Sequence, residues 1–164
     1  QLGLLRRLLG DQIRTVSRKN LVKGRKFSEM LNDALARYTN RSLTTAEIIA
    51  ELVSLAKDMR ADRERAQQLG LSEAEIALYD AIIQNDSAIL EMGDETLKTI
   101  TRELVATIRS SATLDWTVKE SVRARMRSRI KRLLAKYKYP PDKREQAVQL
   151  VIEQAEHLAT GEQD

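Results

Sequence analysis

Apolar residues recur at steps of three and four along almost the whole chain of 164 residues. At 3.6 residues per turn this spacing places them on one side of a helix, whereas a half-buried strand needs an apolar residue at every second position. No stretch alternates at period two for long enough to be a strand. The pattern therefore predicts an all-α fold, a compact bundle of about seven helices with no sheet.

Helix starts are marked by capping boxes, in which a threonine or serine is followed three residues later by a glutamate. The hydroxyl accepts a hydrogen bond from the amide three residues on, and the glutamate accepts one from the amide of the cap. Three such boxes precede apolar stripes: Thr44 with Glu47, Ser72 with Glu75, and Thr117 with Glu120. We also expect helices in the first 27 residues and from Ser28, Asp94 and Pro141, with a loop, containing one helical turn at most, over residues 85–93. The predicted apolar stripe of the first helix consists of Leu2, Leu5, Leu8, Leu9, Ile13 and Val16.

Composition limits the class of protein. With 42% apolar residues, one domain with a real core is expected over residues 1–164. There is no cysteine, which excludes disulfides and thiolate zinc sites and favours a location in the reducing cytoplasm. No apolar run approaches the roughly 20 residues of a membrane span, so we expect a soluble protein. The sequence begins without methionine inside an amphipathic pattern, and we expect it to be a fragment of a larger chain.

Positive charge is concentrated in two segments. From Lys119 to Lys138 there are nine lysines and arginines and one acid, Glu120, a net charge of +8. From Gln1 to Phe27 there are eight cations and one acid, whereas residues 28–118 carry a net charge of −7. So many neighbouring cations repel one another and favour an anionic partner, for which nucleic acid is the first candidate.

The candidate contact residues are the cations of these two segments. Because no base-reading motif accompanies them, we expect binding to DNA phosphates that is salt-sensitive and weakly selective for sequence. Arg123 lies nearest the apolar face and could instead pair inside the protein. The predicted DNA-binding residues are Arg123, Arg125, Arg127, Arg129, Lys131, Arg132 and Lys136, followed by Arg14, Arg18, Lys19 and Lys23.

Catalytic motifs are missing from the sequence. No Gly-rich loop ends in Gly-Lys-Ser/Thr, and the single histidine, His157, leaves no His-His metal pair. Glu153 and His157 are one turn apart, but a pair of surface residues is a simpler interpretation than a metal site. The acids at Asp94 and Glu95 suit a helix start and its dipole. We therefore predict no catalytic residue, no metal and no cofactor in this chain.

Aromatic residues near the basic segment could stack on bases. Trp116 stands beside a helix cap between Leu114 and Val118, where an apolar plug is the more frequent role. Tyr137 falls on the apolar face of the basic helix, and Tyr139 is expected to be exposed. That face is predicted to consist of Val118, Val122, Met126, Ile130, Leu133, Leu134 and Tyr137. Base stacking is therefore not part of the predicted mode of binding.

Several segments resemble, in the same order, the C-terminal helical domain of the motor (restriction) subunit of type I restriction-modification enzymes. The C-terminal block is the most specific: Asp115-Trp116-Thr117, Val122-Arg123-Ala124-Arg125-Met126-Arg127, Ile130-Lys131-Arg132-Leu133-Leu134 and Tyr137-Lys138-Tyr139-Pro140-Pro141-Asp142. Earlier segments agree: Arg18-Lys19-Asn20-Leu21, Arg25-Lys26-Phe27-Ser28, Leu35-Ala36-Arg37-Tyr38-Thr39-Asn40, Leu43-Thr44-Thr45-Ala46-Glu47 and residues 70–81. The resemblance covers nearly all of the chain.

The resemblance implies a non-catalytic, all-α domain of a bacterial restriction system. It would join an ATP-dependent DNA translocase and endonuclease subunit to the methyltransferase core, which consists of modification and specificity subunits, and would lie close to double-stranded DNA. The alternative is a purely protein-protein docking module, whose basic helix meets an acidic patch on a partner and never touches DNA. Both partners would use the same cations, so binding of a duplex distinguishes the two hypotheses.

Overall fold

The computed structural model describes residues 1–84, 86–110 and 120–162, without the side chains of 86 and 159–162. The described residues form helices joined by short turns and contain no strand, which confirms the all-α prediction. The helices in these ranges are α1 (Leu2–Lys19), α2 (Leu21–Thr39), α3 (Thr45–Gln68), α4 (Glu73–Ile82), α5 (Asp86–Met92), α6 (Asp94–Ser110), α7 (Glu120–Lys136) and α8 (Arg144–Glu162). None of them is long and apolar enough to cross a membrane.

Two compact units make up the chain, Gln1–Leu71 and Ser72–Asp164. The first contains α1, α2 and α3, each packed against the other two. The second contains α4 to α8, in which α4 packs against α6 and α8, and α7 packs against α6 and α8. The expectation of one domain over residues 1–164 stays a prediction.

The core of the first unit is aliphatic except for Phe27. Its buried side chains come from all three helices: Leu9, Ile13, Phe27, Leu31, Ala34, Ile48, Leu52, Leu55 and Met59. Two predictions here are wrong. Leu8, placed on the core stripe, is 51% exposed. The helix expected from Ser28 begins instead at Leu21, because the Asn20 side chain caps the amide of Lys23.

Two of the three predicted capping boxes are confirmed. At Thr44 and at Ser72 the hydroxyl accepts from the amide of the glutamate three residues on, and that glutamate accepts from the amide of the cap. Between them, Gly70 ends α3 with a φ of +70°, a conformation that costs glycine little. The third box pairs Glu120 with Thr117, and Thr117 lies outside the described residues, as does Trp116.

In the second unit α4 is the central helix, with every side chain from Ala77 to Ile82 buried. The basic helix α7 ends at Lys136, and a turn over residues 140–143 leads into α8, three residues later than the predicted start at Pro141. Tyr139, expected to be exposed, is only 1% exposed, and its hydroxyl donates to the carbonyl of Ile82 at 2.5 Å. Lys138, with a φ of +61°, turns the chain sharply just before it.

Candidate nucleic-acid interface

The basic helix α7 is anchored by its apolar face. Met126, Ile130 and Leu134 lie at four-residue steps and are between 0 and 2% exposed, which confirms the predicted core face at these positions. Tyr137, one residue beyond the helix, donates to Glu103 on α6 at 2.6 Å. That hydrogen bond raises the pKa of Tyr137. With the apolar face fixed, the two flanks of α7 present the cations.

One flank faces α8 and consists of Arg123, Arg127 and Lys131, which we call the inner row. Arg123 forms an ion pair with Glu156, with 2.7 Å between Nη2 and Oε1, and Arg127 donates to the Gln149 side chain at 3.4 Å. Lys131 forms an ion pair with Glu145. The partners descend in number along α8 as the row ascends along α7, so the two helices run antiparallel.

The charges of the inner row are thus partly matched within the unit. The hydrogen bond from Lys131 and its positive charge hold the pKa of Glu145 below its usual value. The Arg123 and Glu156 side chains are 33% and 29% exposed, which makes this the most enclosed pair of the row. Arg123 therefore pairs inside the protein, the second of the two roles considered for it.

The opposite flank of α7 carries Arg125, Arg129, Arg132 and Lys136, which we call the outer row. They occur at steps of four, three and four residues, so they form one line about 16 Å long on the helix surface. All four side chains are exposed. In the described part of the chain no ion pair engages Arg125 or Arg132. The Nζ atom of Lys136 lies 3.8 Å from Oε1 of Glu103 and 5.2 Å from the centre of the Tyr137 ring.

The remaining predicted cations lie in the first compact unit, at the end of α1 and the start of α2. Arg18 and Lys19 are exposed, and Arg14 is exposed but forms an ion pair with Asp11. Lys23 differs, because its side chain is only 12% exposed and lies 2.7 Å from Asp62, which is 13% exposed. The two basic segments therefore belong to different units, and Lys23 serves the packing of α2 on α3.

Residues that the sequence interpretation missed are the partners of the inner row, Glu145, Gln149 and Glu156. A signal for them exists: two helices joined by a Pro-Pro turn are expected to pack antiparallel, which pairs early positions of α7 with late positions of α8. This rule predicts that Arg123, Arg127 and Lys131 face α8, and it therefore distinguishes the inner row from the outer row. Among the described residues, no group of three or more His, Cys, Asp or Glu side chains could hold a metal ion.

The sequence is similar to the C-terminal regions of endonuclease subunits of type I restriction enzymes. A family model for the C-terminal region of subunits like the type I restriction enzyme HindI endonuclease subunit matches residues 1–161. The HindI endonuclease subunit of Haemophilus influenzae is 44% identical over 155 residues, which cover 94% of this chain and 15% of that protein. A protein of Methanocaldococcus jannaschii, named as a candidate type I restriction enzyme MjaIXP endonuclease subunit, is 35% identical over 136 residues, which cover 81% of this chain and 13% of that protein.

No solved structure matches the chain significantly. The chain spans about 15% of the length of the curated relatives. The family match begins before α1, runs to residue 161 in the last turn of α8, and includes both basic segments. The resemblance seen in the sequence is thereby confirmed: the chain belongs to the family of C-terminal domains of type I restriction enzyme endonuclease subunits of the HindI type.

Proposed function

We propose that this chain is a non-catalytic domain that contacts double-stranded DNA through phosphates and helps to join its endonuclease subunit to the methyltransferase core. The observation that carries the DNA part is the outer row of α7. It is exposed and forms a single line, whereas the inner row on the same helix is matched by acids and an amide of α8. Arginine heads of this kind match the geometry and charge of phosphate groups.

The outer row therefore replaces the full set of cations as the proposed contact surface. Arg125 and Arg132 are its main members, with Arg129 and Lys136 in the same line. The inner row contributes positive potential but is held by α8, and Lys23 is held by Asp62. Arg18 and Lys19 remain a second proposed contact on the other unit.

The test measures binding of the chain to a short random-sequence duplex by fluorescence anisotropy over a range of salt concentrations. A chain with Arg125→Ala and Arg132→Ala is compared with one carrying Arg60→Ala and Arg63→Ala. The control arginines are exposed on α3, so both variants lose the same net charge. The α7 variant should bind more weakly, and its slope of log affinity against log salt should be smaller by about two.

The outcome separates DNA contact from non-specific attraction by net charge. Equal losses in the two variants would show attraction to the whole chain without a defined surface. Absence of duplex binding even at low salt would refute the DNA role and leave the docking alternative, in which the basic helix binds an acidic protein surface.

The assembly part requires the modification and specificity subunits of the same restriction system. Mixed with this chain at a salt concentration that suppresses duplex binding, they should form a complex that elutes earlier in size-exclusion chromatography than either component. If no complex forms, the chain does not contribute to assembly. That result would leave the duplex measurement unaffected.

A further inference from the structure

The outer row of α7 ends beside an acid of a neighbouring helix. Glu103 on α6 approaches the last member of the row, with 3.8 Å between its Oε1 atom and Nζ of Lys136. The same oxygen accepts a hydrogen bond from the hydroxyl of Tyr137 at 2.6 Å. This end of the row therefore differs in charge from Arg125 and Arg132, which no ion pair engages in the described part of the chain.

Tyr137 holds the carboxylate of Glu103 in place. A donor–acceptor distance of 2.6 Å is typical of a hydrogen bond from a hydroxyl to an ionised carboxylate, which is roughly twice as strong as one between neutral groups. The bond raises the pKa of Tyr137, so the hydroxyl keeps its proton and remains a donor at neutral pH. Because Tyr137 directly follows Lys136 in the chain, the carboxylate that it holds stays beside the lysine.

A carboxylate at this position opposes the attraction of Lys136 for phosphate. Lys136 is 65% exposed, and an ion pair between exposed side chains is weak, so the pair does not immobilise the lysine. A phosphate that approaches Lys136 nevertheless comes close to Glu103, and like charges repel each other. Lysine and glutamate together add no net charge to the row. The effective positive surface therefore covers the seven residues from Arg125 to Arg132, about 10 Å along the helix axis.

We propose that Glu103 sets the end of the DNA-contact surface by keeping Lys136 out of the phosphate contact. The inference rests on the DNA role proposed above and names a residue that limits it. Contact with phosphates then runs from Arg125 to Arg132, and the DNA backbone leaves α7 before Lys136. Glu103 is a positioning residue, because it acts on DNA through Lys136 and touches no phosphate itself.

Removal of the negative charge should extend the contact by one phosphate. In Glu103→Gln the amide oxygen can still accept the hydrogen bond from Tyr137, but Lys136 is no longer neutralised. Duplex binding should become tighter, and the slope of log affinity against log salt should be steeper by about one. Glu64→Gln is the matched control, because Glu64 is exposed on α3 and its loss changes the net charge equally.

Two further comparisons separate the release of Lys136 from an altered fold. Glu103→Asp retains the negative charge, so its salt slope should equal that of the unmodified chain. Added to Glu103→Gln, Lys136→Ala should abolish the steeper slope. Lys57→Ala, which removes an exposed cation of α3, should leave the steeper slope in place when it is added instead. Circular dichroism must show the same helix content for all variants.

Fluorescence anisotropy with a short random-sequence duplex measures each slope over a range of salt concentrations. If the unmodified chain binds the duplex, the inference is overturned when Glu103→Gln has the slope of Glu64→Gln, when Glu103→Asp is as steep as Glu103→Gln, or when the steeper slope survives Lys136→Ala. Absence of duplex binding by the unmodified chain, even at low salt, would instead refute the proposed DNA role and this inference with it. The two failures are therefore distinguishable.

Discussion

Gly24 lies where α2 comes very close to Ser17 of α1. A Cβ atom built at this position would lie 2.2 Å from Oγ and 2.8 Å from Cβ of Ser17, and 2.9 Å from the Ser17 backbone. Such distances require the helices to move apart, because the backbone of α1 cannot rotate out of the way as the end of a flexible side chain can. Glycine is therefore required here for packing and not for its backbone conformation.

The first prediction follows from that contact. Gly24→Ala should lower the free energy of unfolding by about 1–3 kcal/mol, because overpacking outweighs the gain in helix propensity. Gly10→Ala is the matched control: Gly10 also lies inside a helix, but a Cβ there meets nothing within 4 Å. It should stabilise the chain by up to about 1 kcal/mol. Urea unfolding measures both, and a stabilising Gly24→Ala would contradict the close approach.

Asp62 is the acid on which the second prediction rests. Burial by itself raises the pKa of Asp62, but the hydrogen bonds and charges of Lys23 and Arg65 outweigh burial and leave the pKa below its usual value. A lowered pKa in the folded chain stabilises the fold above the unfolded pKa of about 3.9, and that contribution is lost as pH falls through the folded pKa. Asp62→Asn should cost roughly 2 kcal/mol at neutral pH.

The measurement compares urea unfolding at neutral pH with unfolding below pH 4. The loss of unfolding free energy caused by Asp62→Asn should be smaller at the acidic pH. There the unfolded form of the unmodified chain binds a proton at Asp62 more readily than the folded form, so the carboxylate stabilises the fold less. Asp11→Asn serves as the control, because its pair with Arg14 is exposed and should contribute at most about 0.5 kcal/mol. Equal penalties for the two variants would show that the Lys23–Asp62 pair does not stabilise the unit.

Within α7, arginines and lysines form both the inner row and the outer row, and we propose a different role for each row. The inner row ties α7 to α8, and the side chains of the outer row are exposed. Arg123→Ala should therefore lower the free energy of unfolding by about 1 kcal/mol, because Glu156 loses a half-buried partner. It should leave the salt slope of duplex binding unchanged. Arg125→Ala should do the opposite, with a smaller slope and unchanged stability.

Urea unfolding and anisotropy on the same two variants test this division. If Arg123→Ala lowered the salt slope as much as Arg125→Ala, the inner row would also contact phosphates. In that case the division of α7 into two rows would be wrong. Both substitutions remove one positive charge, so net charge does not distinguish them.

The turn after α7 marks the point at which the apolar spacing of the helix no longer predicts side-chain burial. The spacing of apolar residues places Tyr137 on the core face and predicts the end of the helix near the prolines. The helix actually ends at Lys136, and the turn at Lys138 directs Tyr139 onto α4. A buried tyrosine needs a partner for its hydroxyl, and the carbonyl of Ile82 supplies one at the end of α4. That carbonyl is distant in sequence, so local periodicity could not reveal it.

At the scale of the whole molecule, charge is distributed by segment. The chain has a net charge of +4, but the two basic segments lie in different compact units, α1 and α2 in one and α7 in the other. Each unit therefore carries its own proposed phosphate contact. The net charge of the whole chain understates the positive charge around α7, which amounts to +8 over residues 119–138.

Properties that depend on a few neighbouring residues could be predicted from the sequence. The helical class, the two confirmed capping boxes and the core face at Met126, Ile130 and Leu134 depend on spacing along one helix, so local order suffices to predict them. The family was also recognisable from the order of short segments.

Which cations are matched could not be predicted from the sequence, because a salt bridge depends on what packs opposite in the folded chain. α8 brings Glu156 and Glu145 to the inner row, and α3 brings Asp62 to Lys23, across separations of more than ten residues that no helical period encodes. The same holds for Leu8, whose apolar side chain fits the predicted stripe but lies beyond the edge of the core. Packing between helices thus selected the outer row from a set of cations that are chemically alike.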